Sequence, residues 1–306
     1  MGNLAIVDLG SNSARLSSQA LTDKCYHEIY REKRDTRLAA GMGQTGHLQP
    51  AAMTRTITAL KDFCQLAAQY QPTKTLAITT AAVRLAVNQA EFLRQVTLET
   101  GLELRVLSGH DEAYYDYLGV RATLPKVTDG MIIDIGGGSV EIIRFTEKSL
   151  IADVSLPLGA VTVMEQFQLG ANHVLTGLPA AQKQIIDAFE QLTWLPQTTS
   201  QPLILLGGAN RSLLAVAKQG DVGIYDSQFH GYHLSAHHVI ELFDDLCRKS
   251  IHERQQLAAA EPQRADIMVS GLLPLVTLLK LTGAPTVIFS ESGVRDGLLQ
   301  EQLGKK

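Results

Sequence analysis

Apolar residues recur along this chain with two periods, and the switches between them mark out its elements. Residues 4–9 form an apolar run that predicts a strand. Residues 14–21 return from it after the turn Gly10-Ser11-Asn12-Ser13, Asp23-Lys24 reads as a second turn, and residues 25–37 alternate as a third strand. Gly41, Gly43 and Gly46 mark a loop, and Pro50 opens a helix over 51–69 with Met53, Ile57, Leu60, Phe63 and Leu66 on one face. A strand over 75–79, a helix over 90–100 closed by Gly101, a strand over 102–107 and a helix starting at 110–118 follow. The order of this half is βββαβαβα.

The second half starts the same way. Residues 131–135, 140–145 and 150–156 predict three strands, then helices over 160–168 and 179–192. A strand over 202–206 leads through Gly207-Gly208 into a helix from Asn210, and 235–281 reads as a helical insertion whose end, 267–281, is strongly apolar. A strand over 286–289 and a helix over 294–303, expected to pack back on the first half, end the chain. The pattern predicts an α/β protein of two domains, 1–126 completed by 297–306, and 127–296 carrying the insertion. Turn signals alone place the boundary near 125–130.

The sharpest departures from apolar patterning carry the chemistry. Asp134 stands between Ile133 and Ile135 in a strand, where a carboxylate is costly unless paired. Gly136-Gly137-Gly138-Ser139 follows, and Glu141 sits in the returning strand. Asp8 and Gly10-Ser11-Asn12-Ser13 repeat this layout 126 residues earlier. Glycine lets the backbone turn and its N–H groups approach a ligand closely. Carboxylates flanking such a turn suit a cation-bound phosphate, the oxygens holding the cation and the N–H groups the anion. Two copies predict related domains facing across a cleft. Asp134, Glu141 and Asp8 are the expected metal ligands. Gly10, Ser11, Asn12, Ser13, Gly136, Gly137, Gly138 and Ser139 are the expected phosphate binders. Mg²⁺ is the natural ion, since it takes few protein oxygens and keeps phosphate and water; Mn²⁺ is the expected substitute.

At 306 residues, 45% hydrophobic and 19% charged, the composition is ordinary for a globular protein. The expectation is a cytoplasmic protein with no membrane-length apolar run and no signal peptide. A net charge of −4 argues against general nucleic-acid binding. Residues 1–126 hold 14 basic and 12 acidic side chains, and 127–306 hold 13 and 19. Arg31-Glu32-Lys33-Arg34-Asp35-Thr36-Arg37 is the densest basic cluster and a candidate track for a polyanion. Cys25, Cys64 and Cys247 form no metal or redox spacing, and neither do the nine histidines.

Seven segments in order carry a family resemblance. Ile6-Val7-Asp8-Leu9-Gly10-Ser11-Asn12-Ser13, Thr79-Thr80-Ala81-Ala82-Val83-Arg84, Leu107-Ser108-Gly109-His110-Asp111-Glu112-Ala113 and Ile133-Asp134-Ile135-Gly136-Gly137-Gly138-Ser139 with Glu141 are the first four. Leu206-Gly207-Gly208-Ala209-Asn210-Arg211 and the C-terminal pair Arg264-Ala265-Asp266 and Ser292-Gly293-Val294-Arg295-Asp296-Gly297 complete the set. Together they resemble the exopolyphosphatase and guanosine pentaphosphate phosphohydrolase family. The resemblance implies two ribonuclease-H-like domains of the actin, sugar kinase and heat-shock ATPase superfamily facing across a cleft. It implies Glu112 as the catalytic base, Arg84 as a phosphate clamp and Gly207 and Gly208 as further phosphate contacts, with Arg15, Arg31 and Arg34 as lesser candidates.

The activity it implies is Mg²⁺-dependent removal of the terminal phosphate of inorganic polyphosphate. Guanosine pentaphosphate hydrolysis, a superfamily kinase and a catalytically silent sensor are the alternatives, and a homodimer is the expected assembly. Asp111, Val140 and Ala209 depart from the family pattern; the last two each remove a hydroxyl near the phosphates.

Overall fold

The computed structural model describes residues 2–304 apart from 23–24, 171–174, 197, 219–228 and 259–260. The predicted turn at Asp23-Lys24 and the last two residues of the predicted 297–306 helix lie outside the described residues. In the first half, strands β1 (Asn3–Leu9), β2 (Ala14–Leu21) and β3 (Tyr26–Arg34) form an antiparallel meander. Helix α1 (Pro50–Ala68) leads to β4 (Pro72–Thr79), which pairs parallel to β1. Then come α2 (Ala81–Arg84), α3 (Gln89–Thr100), β5 (Arg105–Val106) and α4 (Gly109–Thr123).

The second half repeats the meander with β6 (Gly130–Ile135), β7 (Val140–Phe145) and β8 (Leu150–Leu156), followed by α5 (Ala160–Phe167) and α6 (Leu178–Glu190). Strand β9 (Leu203–Leu206) pairs parallel to β6 and enters α7 (Gly207–Ala217). Strand β10 (His233–Ser235), helices α8 (Ala236–Arg248) and α9 (Ile251–Leu257), a 3₁₀ turn at Pro262–Ile267, α10 (Met268–Thr282), β11 (Thr286–Phe289) and α11 (Val294–Gly304) complete the order.

The sheet orders are β3-β2-β1-β4-β5 and β10-β11-β9-β6-β7-β8. Apart from β10 the second order is the first one over again, so the duplication predicted from the two hairpins extends to the sheets. The registers match as well. Asp8 lies opposite Arg15, which lies opposite Lys33; Asp134 lies opposite Glu141, which lies opposite Ser155. Side chains directly opposite on neighbouring strands share a face, so each sheet presents one such row.

Two elements depart from the sequence reading. The strand expected over 102–107 makes ladder pairs only at Arg105 and Val106. Strand β10, absent from the sequence reading, has a single apolar residue, Leu234, too little for a period-two signal. It pairs antiparallel on β11 at the sheet edge.

Helix α4 is the wedge of the molecule. Its Ala113 and Val120 pack on the second sheet with Ile132, Ile143 and Ile204. Its Tyr115 packs with Leu4, Ile6 and Ile78 of the first sheet and with Leu298 and Leu299 of α11. Two buried faces erase the one-sided stripe of a surface helix. Ser108 and Asp111 start it with a reciprocal capping box, Asp111 N–H donating to Ser108 Oγ (3.0 Å) and Ser108 N–H to Asp111 Oδ2 (3.2 Å). The departure at Asp111 is therefore a helix cap. Helix α11 approaches α4 so closely that a Cβ at Gly297 would collide with the Tyr115 carbonyl.

The stretch Pro262–Thr282 is, by length and composition, long and apolar enough to cross a membrane, contrary to the sequence expectation. The 3₁₀ turn running straight into α10 supplies the extra length. Inside the protein 83% of its apolar window is buried, where it forms the core helix of the second half.

Candidate functional site

The β1–β2 and β6–β7 turns close in the same way. Gly10 N–H donates to Ser13 O (3.0 Å) and Gly136 N–H to Ser139 O (3.1 Å). The two turns face each other at van der Waals range, since a Cβ on Gly137 would lie 3.1 Å from Ser11 Cβ. Further bonds hold each in place. Ser11 Oγ accepts from Ala82 N (3.1 Å), Ser11 O from Ala39 N (2.9 Å), and Asn12 O from Arg37 N (2.8 Å). The carbonyls of Gly136 and Gly137 accept from Ala160 and Val161 in the first turn of α5 (2.9 Å each).

Between the sheets lies a cavity of about 190 Å³, far above the ~10–15 Å³ that one water needs. Asp8, Gly10, Ser11, Asn12, Ser13, Glu112, Asp134, Gly136, Gly137, Gly138, Ser139, Gly207 and Gly208 line it together, and so do Arg15 and Arg31. Three of the expected residues do not. Arg34 is half exposed and pairs with Glu32 (3.0 Å). Arg84 lies behind Glu112: its Nη1 donates to Glu112 Oε2 (2.8 Å) and Leu107 O (2.9 Å), and its Nη2 to Ser155 Oγ (3.1 Å). In this arrangement Arg84 orients Glu112 and does not reach into the cavity. Glu141, only 1% exposed, accepts from Ser139 Oγ (2.7 Å) and Ser155 Oγ (2.6 Å) on one oxygen and also stays off the cavity wall.

Glu112 projects from the first turn of α4 and is 7% exposed. Burial raises its pKa to about 7; Arg84 opposes this, and the charges of Asp134 and Asp8 add to it. Asp134 is raised to about 6 by burial first, with a hydrogen bond to Asp116 and the charge of Arg15 pulling the other way and Asp8 adding to the rise. Its Oδ1 is buried with no hydrogen-bond partner.

Sequence reasoning missed several groups. Asp116, one turn beyond Glu112, is fully buried, and its carboxyl lies within hydrogen-bonding reach of Asp134 when one of the two is protonated. Burial, then Asp134, Glu141 and Glu112, push its carboxyl well above the usual range. Lys33, part of the basic cluster read as a polyanion track, lines the cavity, and Arg211, Arg264 and Arg295 are cations on its wall that the sequence reading had not assigned. Arg211 follows Gly207-Gly208-Ala209-Asn210 within α7, and Arg264 and Arg295 lie in the C-terminal resemblance segments, so their positions carried a signal that had no assigned role.

A model of the Ppx/GppA phosphatase family matches residues 18–306. The chain belongs to the Ppx/GppA phosphatase family. Membership places it among the hydrolases. Exopolyphosphatase 2 of Mycobacterium tuberculosis is 26% identical over 311 residues, which is 96% of this chain and 97% of that protein. The bifunctional 3-dehydroquinate synthase/phosphatase of Fusobacterium nucleatum is 26% identical over 317 residues, 99% of this chain and 47% of that protein, so the chain spans about half of its length. The crystallographically studied Ppx/GppA enzyme of Aquifex aeolicus is 27% identical with a TM-score of 0.80, covering 98% of this chain and 99% of that one. The fold is thus the two-domain, actin-like and ribonuclease-H-like fold of Ppx/GppA structures. The first turn, Gly10 to Ser13, precedes the matched span, and its place in the site rests on the geometry above.

Among the described residues of this Ppx/GppA chain, no three His, Cys, Asp or Glu side chains stand close enough to hold a metal by themselves. A Mg²⁺ ion needs less, because one or two carboxylates plus substrate phosphates and water complete its shell. The orphaned Asp134 Oδ1 and the cavity-lining Asp8 suit that mode. Glu141, held by two hydroxyls away from the wall, would support such an ion indirectly.

The position of Glu112 predicts a pH profile. A base works deprotonated, so kcat/KM should rise as pH increases through about 7. An ordinary glutamate would place that limb near its unshifted 4.5. Rates of phosphate release across pH check this, and a flat profile between about 5 and 8 would contradict it.

Proposed function

We propose that this protein is an exopolyphosphatase, hydrolysing the terminal phosphoanhydride of a linear inorganic polyphosphate and releasing orthophosphate. The observation that carries the reading is the buried Glu112, with its pKa raised to about 7, in one cavity with two apposed glycine-serine turns. Backbone N–H groups of Ser11–Ser13 and Gly137–Ser139, with the hydroxyls of Ser11 and Ser13, bind the oxygens of the terminal phosphate. Glu112, oriented by Arg84, accepts a proton from the attacking water. Arg15 balances charge on the phosphoryl oxygens from the cavity wall. Mg²⁺, when bound, supplies Lewis-acid polarisation of the phosphoryl oxygens. Asp134 and Asp8 are the groups that would hold it.

The full-length match to an exopolyphosphatase supports this reading. Phosphate release from tripolyphosphate, long polyphosphate, guanosine pentaphosphate and ATP, side by side with Mg²⁺, tests it. The inorganic chains should be cleaved fastest. Release from the guanosine nucleotide alone would replace this substrate with the pentaphosphate, and binding with no release would make the protein a sensor.

A further inference from the structure

The equivalent rows on the two sheets have diverged in chemistry. On the second sheet the row is Asp134, Glu141 and Ser155; on the first it is Asp8, Arg15 and Lys33. Arg15 and Lys33 both line the cavity, one strand spacing apart, which is about 4.8 Å. A linear phosphate chain held at Ser11–Ser13 therefore meets a cation on β2 and another on β3 as it runs away from β1.

The row ends at Lys33. There Arg211 of α7 and Arg264 of the 3₁₀ turn come in from the second half, and all three cations converge on the carboxylate of Glu261. Lys33 Nζ donates to Glu261 Oε1, Arg211 Nε lies 2.7 Å from Oε2, and Arg264 Nε lies 3.9 Å from Oε2. Glu261 is 6% exposed. Burial acts to raise its pKa, and Arg211, Arg264 and Lys33 overcome this and hold it at about 2, so it stays charged. The same end is walled by contacts between the halves. Gln263 donates to Asp35, Arg37 pairs with Asp266, and Gly41 N–H donates to Glu165 Oε1 (2.8 Å). Glu291 and Asp296 also line the cavity with Arg295, so this group adds no net positive charge for a polyanion.

We propose that Glu261 sets the length of substrate this site accepts, restricting tight binding to short linear phosphoanhydrides such as tripolyphosphate. The proposal rests on the phosphoanhydride reading above. Phosphates up to Arg15 meet a guanidinium whose paired carboxylate, Asp8, stands off at 3.8 Å. A phosphate group reaching Lys33 must compete with a carboxylate that already holds the three cations, and the next one meets the wall. Arg211 Nη2 and Arg264 Nε, buried without hydrogen-bond partners, are the donors left at that point. They can take one further phosphate oxygen but cannot carry a chain onwards.

Calorimetric titration with Mg²⁺ in a Glu112→Gln background, which stops turnover, tests this with tripolyphosphate and long polyphosphate. Adding Glu261→Gln removes the competing charge at nearly constant shape. Affinity for long polyphosphate should rise about tenfold, and for tripolyphosphate by less than about twofold. Asp35→Asn frees Lys33 from its other partner, 3.1 Å away, and should shift long-chain affinity the same way by about threefold. It keeps the test open if Glu261→Gln does not fold. Equal tightening of both ligands, or no change for the long chain, would overturn the length limit alone. Failure of either chain to bind any variant would overturn the phosphoanhydride reading, and the length limit with it.

Discussion

Glu112→Gln should lower phosphate release by about 10²- to 10⁴-fold while changing affinity for tripolyphosphate by less than about twofold. The substitution keeps the side chain's shape and its place against Arg84, whose Nη1 now donates to an amide oxygen. What is lost is the only step that needs a proton acceptor. Single-turnover rates and calorimetry on the same preparation separate the two effects. A variant that binds tenfold more weakly but turns over normally would make Glu112 a ligand group and remove it from the chemistry. The variant should also lose the limb near pH 7, because the group that titrates there is gone.

Gly207→Ala has the second-largest expected effect, and it follows from geometry alone. Gly207 has φ of +77°, a conformation costly for any residue with a Cβ, and that Cβ would collide with Asp134 Oδ1. Either Asp134 swings away or the start of α7 moves. Strain and overpacking together should destabilise the protein by about 2–4 kcal/mol. Displacing Asp134 should cut activity by about 100-fold or more. Gly304→Ala is the control, since nothing lies within 4 Å of a Cβ there; it should stay within about 0.5 kcal/mol of the parent. Urea unfolding of both variants decides it, and a Gly207→Ala protein as stable and active as the parent would show that this backbone is not under constraint.

The two hairpins were legible because they break local rules. Aspartate inside an apolar strand followed by glycines is costly unless a ligand or partner waits there, and Asp8 and Asp134 both meet that description. The doubled sheet order followed from the doubled hairpin. The cations were harder. Lys33, Arg211 and Arg264 converge only once the two sheets face each other, and no spacing along the chain encodes that. Glu141 illustrates a subtler failure. Its register opposite Asp134 was readable, but its capture by Ser139 and Ser155 depends on β8 lying beside β7. Arg84 was expected to bind phosphate, yet Glu112 at 2.8 Å has first claim on its guanidinium. Asp116 reads as an ordinary polar position between tyrosines, and only the packing of α4 between two sheets reveals that it is buried. Strand β10 was too short to show a period, and the apolar stretch read over 267–281 did not show the 3₁₀ turn at Pro262–Ile267 that runs into α10.

The central claim is that water attacks the terminal phosphorus of an inorganic phosphate chain in this cleft. Hydrolysis of tripolyphosphate in ¹⁸O-labelled water with Mg²⁺ tests it most directly. Label should appear in the released orthophosphate and not in the pyrophosphate left behind, with no release above background in Glu112→Gln. Label in pyrophosphate would put the attack on an internal phosphorus, and no release from the parent protein would contradict the hydrolytic account of the cleft altogether.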